Sequence, residues 1–115
     1  MKQLTFSQIT KLQKSYGVDI MQSMINDGTC WKMEGSQGRF AMSCLESGVC
    51  MLPLEPKLDY YGSRVPSRDM LKAGTKGTFL NSSNFWNRVK EGDFDAVEWL
   101  EETFGSVEKE QANQL

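Results

Sequence analysis

The chain has 115 residues, with 13 lysines and arginines against 15 aspartates and glutamates, three cysteines, no histidine and a formal net charge of −2. This length suits one domain whose hydrophobic core needs neither disulfides nor a structural metal to fold. The absence of histidine excludes a Ser-His-Asp or Cys-His mechanism, and any histidine-containing zinc site, built from this chain alone.

The N-terminal region does not resemble a targeting segment. Its first 25 residues contain the charged side chains Lys2, Lys11, Lys14 and Asp19 and no apolar run of signal-peptide length. No part of the chain approaches the roughly 20 consecutive apolar residues of a membrane-spanning helix. We therefore expect a cytoplasmic protein that has no membrane partner.

The three cysteines follow no recognisable ligand pattern. Cys30, Cys44 and Cys50 are separated by 13 and 5 residues, spacings that match neither a disulfide framework nor paired metal ligands. Cysteine also behaves as a small apolar side chain. We therefore predict three buried thiols, no metal site and no cofactor.

Two short helices are predicted at the N-terminus. Thr5 and Gln8 have the spacing of a capping box, so a helix should begin near residue 5. Gly17 interrupts the helical spacing of apolar residues, and a second apolar set follows it as far as Gly28. The pattern favours two helices divided at Gly17 over one long helix, since an internal glycine costs about 1 kcal/mol relative to alanine.

Three short strands are predicted near residues 29–34, 49–52 and 77–80, where apolar and β-favouring residues lie between turn signals. Ser36 is placed to cap a helix that ends at Gly48. The whole pattern predicts an α+β, mainly helical fold with about five or six short helices and a small sheet of two or three short strands.

The middle of the chain predicts irregular structure followed by helices. Residues 53–66 contain all three prolines and Gly62, which favours an irregular surface segment. Ser67 is placed to cap a short helix, and Ser82 or Ser83 a longer one.

A last helix is predicted at the acidic end of the chain. Asp95 and Glu98 have the spacing of an N-cap residue and its N3 partner. Apolar periodicity then ends, so we predict a single globular domain over residues 1–105 and a flexible tail over residues 106–115.

The near-neutral net charge hides two regions of opposite sign. Residues 57–90, here called the basic segment, have seven cationic and two acidic side chains, whereas residues 91–115 have eight acidic and one cationic. The net charges are therefore +5 and −7. Either the two regions attract each other within the fold, or the basic segment faces an anionic partner.

The basic segment contains the main candidate binding residues. The candidates for an anionic partner are Arg64, Arg68, Lys72 and Lys76, and the candidate aromatic anchors are Tyr60, Tyr61 and Trp86. A helix over residues 67–73 would place Arg68 and Lys72 on one face, where they could neutralise phosphates or carboxylates.

A weaker anion-binding candidate is the turn that contains Ser36, Gly38 and Arg39. Backbone N–H groups at a helix start, together with an arginine, can hold a phosphate or carboxylate. The turn departs from both the GxxxxGK[ST] and the GxGxxG patterns, and Glu34 beside it has the wrong charge. An ordinary turn is the simpler interpretation.

These features favour a non-enzymatic interaction protein that binds another macromolecule, above all a protein, as a regulator or inhibitor. Many small proteins of this kind come from phages or other mobile elements, so we expect such an origin from general frequency and not from particular residues. The alternative is a nucleic-acid-binding module that uses the basic segment, although a sequence pI of about 5.1 disfavours it.

A small carboxylate-dependent hydrolase is the remote alternative. Its candidate acids are Asp93, Asp95, Glu98, Glu101 and Glu102. Acidic side chains in a first helical turn and on a solvated helix face explain most of these positions without catalysis.

Overall fold

The computed structural model describes residues 3–32, 36–92 and 95–103. In chain order its elements are α1 (Phe6–Ser15), α2 (Asp19–Asn26), a first 3-10 helix (Thr29–Trp31), α3 (Ser36–Ser47), β1 (Lys57–Leu58), β2 (Arg64–Val65), a second 3-10 helix (Arg68–Met70), α4 (Phe79–Lys90) and α5 (96–103). The fold is small and mainly helical α+β, which confirms the predicted class. The predicted tail at 106–115 lies outside the described residues, and the domain boundary at 105 stays a prediction. None of the helices in the described ranges has the length and apolar character needed to cross a bilayer.

The N-terminal helices form as predicted. The Gln8 N–H donates to Thr5 Oγ1 at 3.2 Å, and the Thr5 N–H donates to Gln8 Oε1 at 2.8 Å, which completes the capping box. Gly17 then adopts a left-handed φ of +75° between α1 and α2. Glycine accepts this conformation readily because it has no Cβ, so the two helices separate at this residue.

Residues 48–53, here called the core segment, lie at the centre of the fold without forming a strand. The strand predicted at 49–52 is therefore wrong, although Val49, Cys50 and Met51 are fully buried. A buried backbone must have hydrogen-bond partners whether or not a neighbouring strand exists. Side chains supply many of them here.

Glutamine side chains from the first two helices take the place of a neighbouring strand. The Met51 N–H donates to Gln22 Oε1 at 2.8 Å, and Gln22 Nε2 donates to the Met51 carbonyl at 2.9 Å. Gln13 Nε2 donates to the Val49 carbonyl at 2.9 Å and to Gln22 Oε1 at 3.0 Å. Both glutamines are buried, so α1 and α2 hold the core segment through side-chain amides.

The strand predicted at 29–34 is replaced by the first 3-10 helix, and residues 33 and 34 lie outside the described residues. The Thr29 N–H donates to Asp27 Oδ1 at 2.8 Å. This side-chain cap competes with strand pairing, because it satisfies an N–H group that a strand would offer to a neighbour.

The strand predicted at 77–80 is also absent. The chain turns at Gly77, and α4 begins at Phe79, earlier than predicted from Ser82 and Ser83. Thr78 provides the cap, because its Oγ1 accepts from the Asn81 N–H at 3.3 Å. The prediction missed this threonine as a helix N-cap.

The sheet that does form lies within residues 53–66, which were predicted to be irregular. β1 and β2 pair antiparallel, with Lys57 opposite Val65 and Leu58 opposite Arg64. Asp59 organises the turn, since its Oδ1 accepts from two backbone N–H groups, those of Tyr61 at 2.9 Å and Ser63 at 2.8 Å. Strands of two residues are too short to produce a visible alternation pattern.

The C-terminal helices pack through aromatic contacts. The Phe85 and Trp86 rings of α4 meet edge to face with centroids 4.9 Å apart, and Phe85 also lies 6.4 Å from Trp99 of α5. The Glu98 N–H donates to Asp95 Oδ1 at 3.0 Å, which confirms the predicted N-cap of α5. The helix at the acidic end therefore contacts α4 through an apolar pair of rings.

Candidate functional site

Arg68 lies in the core rather than on a cationic surface. Only 6% of its surface is exposed, and its Nε donates to the Leu52 carbonyl at 2.7 Å. Its Nη2 lies 3.5 Å from Asn26 Oδ1, and its guanidinium stands 5.8 Å from the centre of the Phe6 ring. Burial lowers the pKa of Arg68. The expected surface position is wrong, because this side chain supports the core segment.

Trp86 is likewise no exposed anchor. It is fully buried, and its Nε1 donates to the Val49 carbonyl at 3.2 Å. Its ring lies 5.5 Å from that of Tyr16. Because the Trp86 side chain is buried against Val49 and Tyr16, the prediction that it is an aromatic anchor on the surface is wrong.

Lys72 and Lys76 are exposed but do not form a stripe with Arg68. The short helix predicted after Ser67 forms as the second 3-10 helix, but it ends at Met70, so the extension to residue 73 that would align Arg68 with Lys72 is wrong. Lys76 Nζ lies 3.7 Å from Glu46 Oε1 of α3, in an exposed pair. Such pairs contribute little to stability. This ion pair joins the basic segment to α3.

Ser36, Gly38 and Arg39 all lie in the first turn of α3. Ser36 is the first residue of α3 in the described part of the chain, and Arg39 is exposed. A position in a first helical turn does not by itself create a site, so anion binding here stays a prediction.

The carboxylates proposed for a hydrolase lie at the start and on the outside of α5. Asp95 caps this helix, Glu98, Glu101 and Glu102 are exposed, and Asp93 lies outside the described residues. Within the described ranges, no group of three or more His, Cys, Asp or Glu side chains could hold a metal ion.

The β1–β2 hairpin places several large apolar side chains in solvent. Tyr60 and Tyr61 are 57% and 76% exposed, and their rings meet edge to face with centroids 5.0 Å apart. Leu58 is 59% exposed. Asp59 holds the turn that presents the two rings, so these side chains project from an ordered loop.

A groove of about 460 Å³ lies between this hairpin and the turn that precedes the first 3-10 helix. We call it the basic groove, and its lining includes Asp27, Gly28, Lys32, Lys57, Leu58 and Arg64. Three cations and one carboxylate line it, so this lining has a net charge of +2. Leu58 and Arg64 are opposite one another in the sheet and therefore share a face.

Two residues of the 27–28 turn shape the groove. A hydrogen bond from Thr29 is the largest cause that lowers the pKa of Asp27, and the charges of Lys57 and Lys32 lower it further. Asp27 is therefore ionised at neutral pH. Gly28 has a left-handed φ of +83°, and a Cβ there would stand 3.4 Å from Lys57 Cγ. The stem of Lys57 thus lies against the turn.

The structure brings together part of the predicted site and adds to it. Tyr60, Tyr61 and Arg64 were predicted and belong to the hairpin surface, whereas Lys32 comes from a distant part of the chain. Asp59 and Gly62 were the available signals for a turn between two strands. No local pattern places Lys32 beside that turn.

Comparisons with protein-family models, with curated proteins and with solved structures returned no match for this chain. We therefore infer function from the geometry of the described residues.

Proposed function

We propose that this chain is a non-enzymatic binding protein whose hairpin, residues 57–65, docks onto an acidic surface of another protein. The observation that carries the proposal is the exposed pair Tyr60 and Tyr61 beside the cations of the basic groove. Aromatic and arginine side chains dominate the binding energy of protein interfaces. We further propose a regulator or inhibitor that works in the cytoplasm, where buried free thiols are common.

Charge and shape together favour an acidic protein partner. Leu58, Tyr60 and Tyr61 provide apolar area, and Lys57 and Arg64 add positive charge at its side. Cations beside an apolar centre match a partner whose apolar patch has a rim of carboxylates.

A single-stranded nucleic acid is the competing partner, because exposed tyrosines can stack on bases next to cations. The acidic pI of about 5.1 and the ionised Asp27 in the groove disfavour it. We treat nucleic acid as an outcome that the experiment detects.

The test is photocrosslinking in the cells that naturally express the protein, with a photoreactive amino acid at position 61. The same photoreactive amino acid in place of Lys11, which is exposed on α1, provides the control. We expect a protein adduct specific to position 61, which mass spectrometry identifies. Calorimetry with that purified partner should then show at least about a tenfold loss of affinity for Tyr60→Ala and for Tyr61→Ala.

Ile20→Ala serves as the matched variant, since Ile20 is 69% exposed on α2 and does not line the basic groove. It should change the affinity less than twofold, within the roughly 0.5 kcal/mol of an uninvolved surface site. A nucleic-acid adduct at position 61, or tyrosine variants that bind as tightly as the parent chain, would show the proposal to be wrong.

A further inference from the structure

We propose that the basic groove receives an extended acidic segment of the partner protein, with its carboxylates distributed along the cations. This inference rests on the proposed function and names the chemistry that the groove recognises. It is carried by the juxtaposition of Lys32, Lys57 and Arg64 around one open groove of about 460 Å³.

The three cations come from three different elements. Lys32 follows the first 3-10 helix, Lys57 belongs to β1 and Arg64 to β2. A phosphate loop binds a compact anion through the backbone N–H groups of one turn, whereas the positive charge of this groove comes from side chains on three elements. A volume of about 460 Å³ also falls within the range of about 300–1,000 Å³ that is typical of ligand sites.

The negative charge of Asp27 favours an extended anion in this groove over a compact one. It is ionised and lines the same groove as the cations, and the charges of Lys57 and Lys32 act on it. A compact dianion would meet the Asp27 charge, whereas an extended segment can place carboxylates at the cations and a neutral residue opposite Asp27. Asp27 is exposed, so salt screens this repulsion, but at low ionic strength like charges at short distance remain unfavourable.

Leu58 adds an apolar side chain to the charged lining of the groove. It is 59% exposed, lines the groove and lies opposite Arg64 on the same face of the hairpin. A segment that alternates acidic and apolar residues would therefore find a partner at each position. Tyr60 and Tyr61 lie in the turn of the same hairpin, outside the groove lining.

The probe is a fluorescein-labelled hexaglutamate peptide, and its binding to the full chain is followed by fluorescence anisotropy. A hexaglutamine peptide is the neutral control. We expect binding of hexaglutamate alone, with an affinity that falls between ionic strengths of about 0.01 M and 0.15 M as the Debye length shortens from about 30 to 8 Å.

Charge variants test whether the groove is responsible. The double variant Lys57→Gln/Arg64→Gln should weaken hexaglutamate binding at least about tenfold at low salt, since two of the three groove cations are lost. The matched double variant Lys72→Gln/Lys76→Gln removes the same charge from exposed sites outside the groove lining and should change it less than about threefold. Asp27→Asn should strengthen binding about threefold, because the lining rises from +2 to +3 while the amide oxygen can still accept from Thr29.

Equal losses in the two double variants would overturn the inference, because binding would then depend on net charge alone. A weaker complex with Asp27→Asn, or tighter binding of a labelled single-stranded oligonucleotide than of hexaglutamate, would also overturn it. Circular dichroism of each variant confirms that it is folded. If hexaglutamate does not bind while Tyr60 and Tyr61 still control the partner's affinity, the groove inference fails and the proposed function stands.

Discussion

At the scale of single residues, charge alone does not tell where a side chain lies. Arg68 has the same charge as Arg64, yet Arg68 is buried against the core segment and Arg64 is exposed. The difference comes from the Leu52 carbonyl, which Arg68 Nε reaches at 2.7 Å. A buried carbonyl without a partner costs about 1–3 kcal/mol, so this bond helps to hold the arginine inside.

We therefore predict that Arg68→Ala lowers the free energy of unfolding by about 2–4 kcal/mol, because it leaves the Leu52 carbonyl without its donor and opens space under Phe6. Urea denaturation measures the change. Lys72→Ala, at an exposed position in the same segment, should stay within about 0.5 kcal/mol of the parent chain. Equal effects of the two variants would contradict a structural role for Arg68.

Gln22 shows a second limit of reasoning from single residues. It is a polar residue on α2, yet its side-chain amide accepts from the Met51 N–H and donates to the Met51 carbonyl. Polar residues on a helix are usually assigned to its solvated face. Gln22 is buried because the core segment lacks a neighbouring strand in the described part of the chain, and this follows from the packing rather than from its own surroundings in sequence.

At the scale of elements, local signals succeed at the starts of α1 and α5, miss the start of α4 at Thr78 and fail at strands. The capping box at Thr5 and the N-cap at Asp95 form as predicted, because each depends on residues within one turn. Strands depend on a partner that sequence proximity does not reveal. The core segment had the composition of a buried strand, while the real hairpin had the composition of a loop.

The contact between α3 and α4 yields a prediction at the same scale. Gly48 follows α3 with a φ of +103°, and a Cβ there would stand 2.7 Å from both Asn81 O and Phe85 Cβ of α4. We expect Gly48→Ala to destabilise the fold by at least about 3 kcal/mol, from left-handed backbone strain together with overpacking.

Gly17→Ala is the matched variant, since Gly17 has a φ of +75° but nothing within 4 Å of the added Cβ. It should cost about 1–2 kcal/mol from backbone conformation alone. Thermal denaturation of both proteins separates the two contributions. Similar melting temperatures for the two variants would mean that the close approach of α4 to Gly48 is not tight in solution.

At the scale of the whole molecule, the three cysteines indicate how well the core excludes solvent. Cys30, Cys44 and Cys50 are free and buried, which confirms the prediction from their spacing. Burial raises the pKa of Cys30 to about 12 from its ordinary value of 9.0, and the pKa of Cys50 is also raised by its contact with Cys44 and by burial. The thiols of Cys30 and Cys50 are therefore protonated in the folded chain, and all three cysteines are shielded from solvent.

We predict that iodoacetamide at pH 8 alkylates these thiols at least about 100-fold more slowly in the folded chain than in urea, because the thiolate is the reactive form. Ser23→Cys introduces an exposed thiol on α2 and should react at the rate of the unfolded chain. Mass spectrometry of timed samples counts the adducts. Rapid labelling of the native cysteines under folding conditions would contradict a closed core around them.

The sequence by itself determined the class of the fold, the caps of the first and last helices, the break at Gly17 and the burial of the cysteines. Each depends on residues close together in the chain or on side-chain type, for which spacing and composition are sufficient. It also placed Tyr60, Tyr61 and Arg64 among the candidate binding residues, because exposure of a Pro- and Gly-containing segment follows from composition.

Only the tertiary structure decided which cations face solvent and which residues line the basic groove. Arg68 is buried with its Nε bonded to a carbonyl sixteen residues away, and Lys32 and Lys57 line one groove because the turn at Gly28 packs against the stem of Lys57. Such positions depend on where unpaired backbone groups and neighbouring elements meet after packing. They therefore emerge from long-range contacts, which no local spacing of residues encodes.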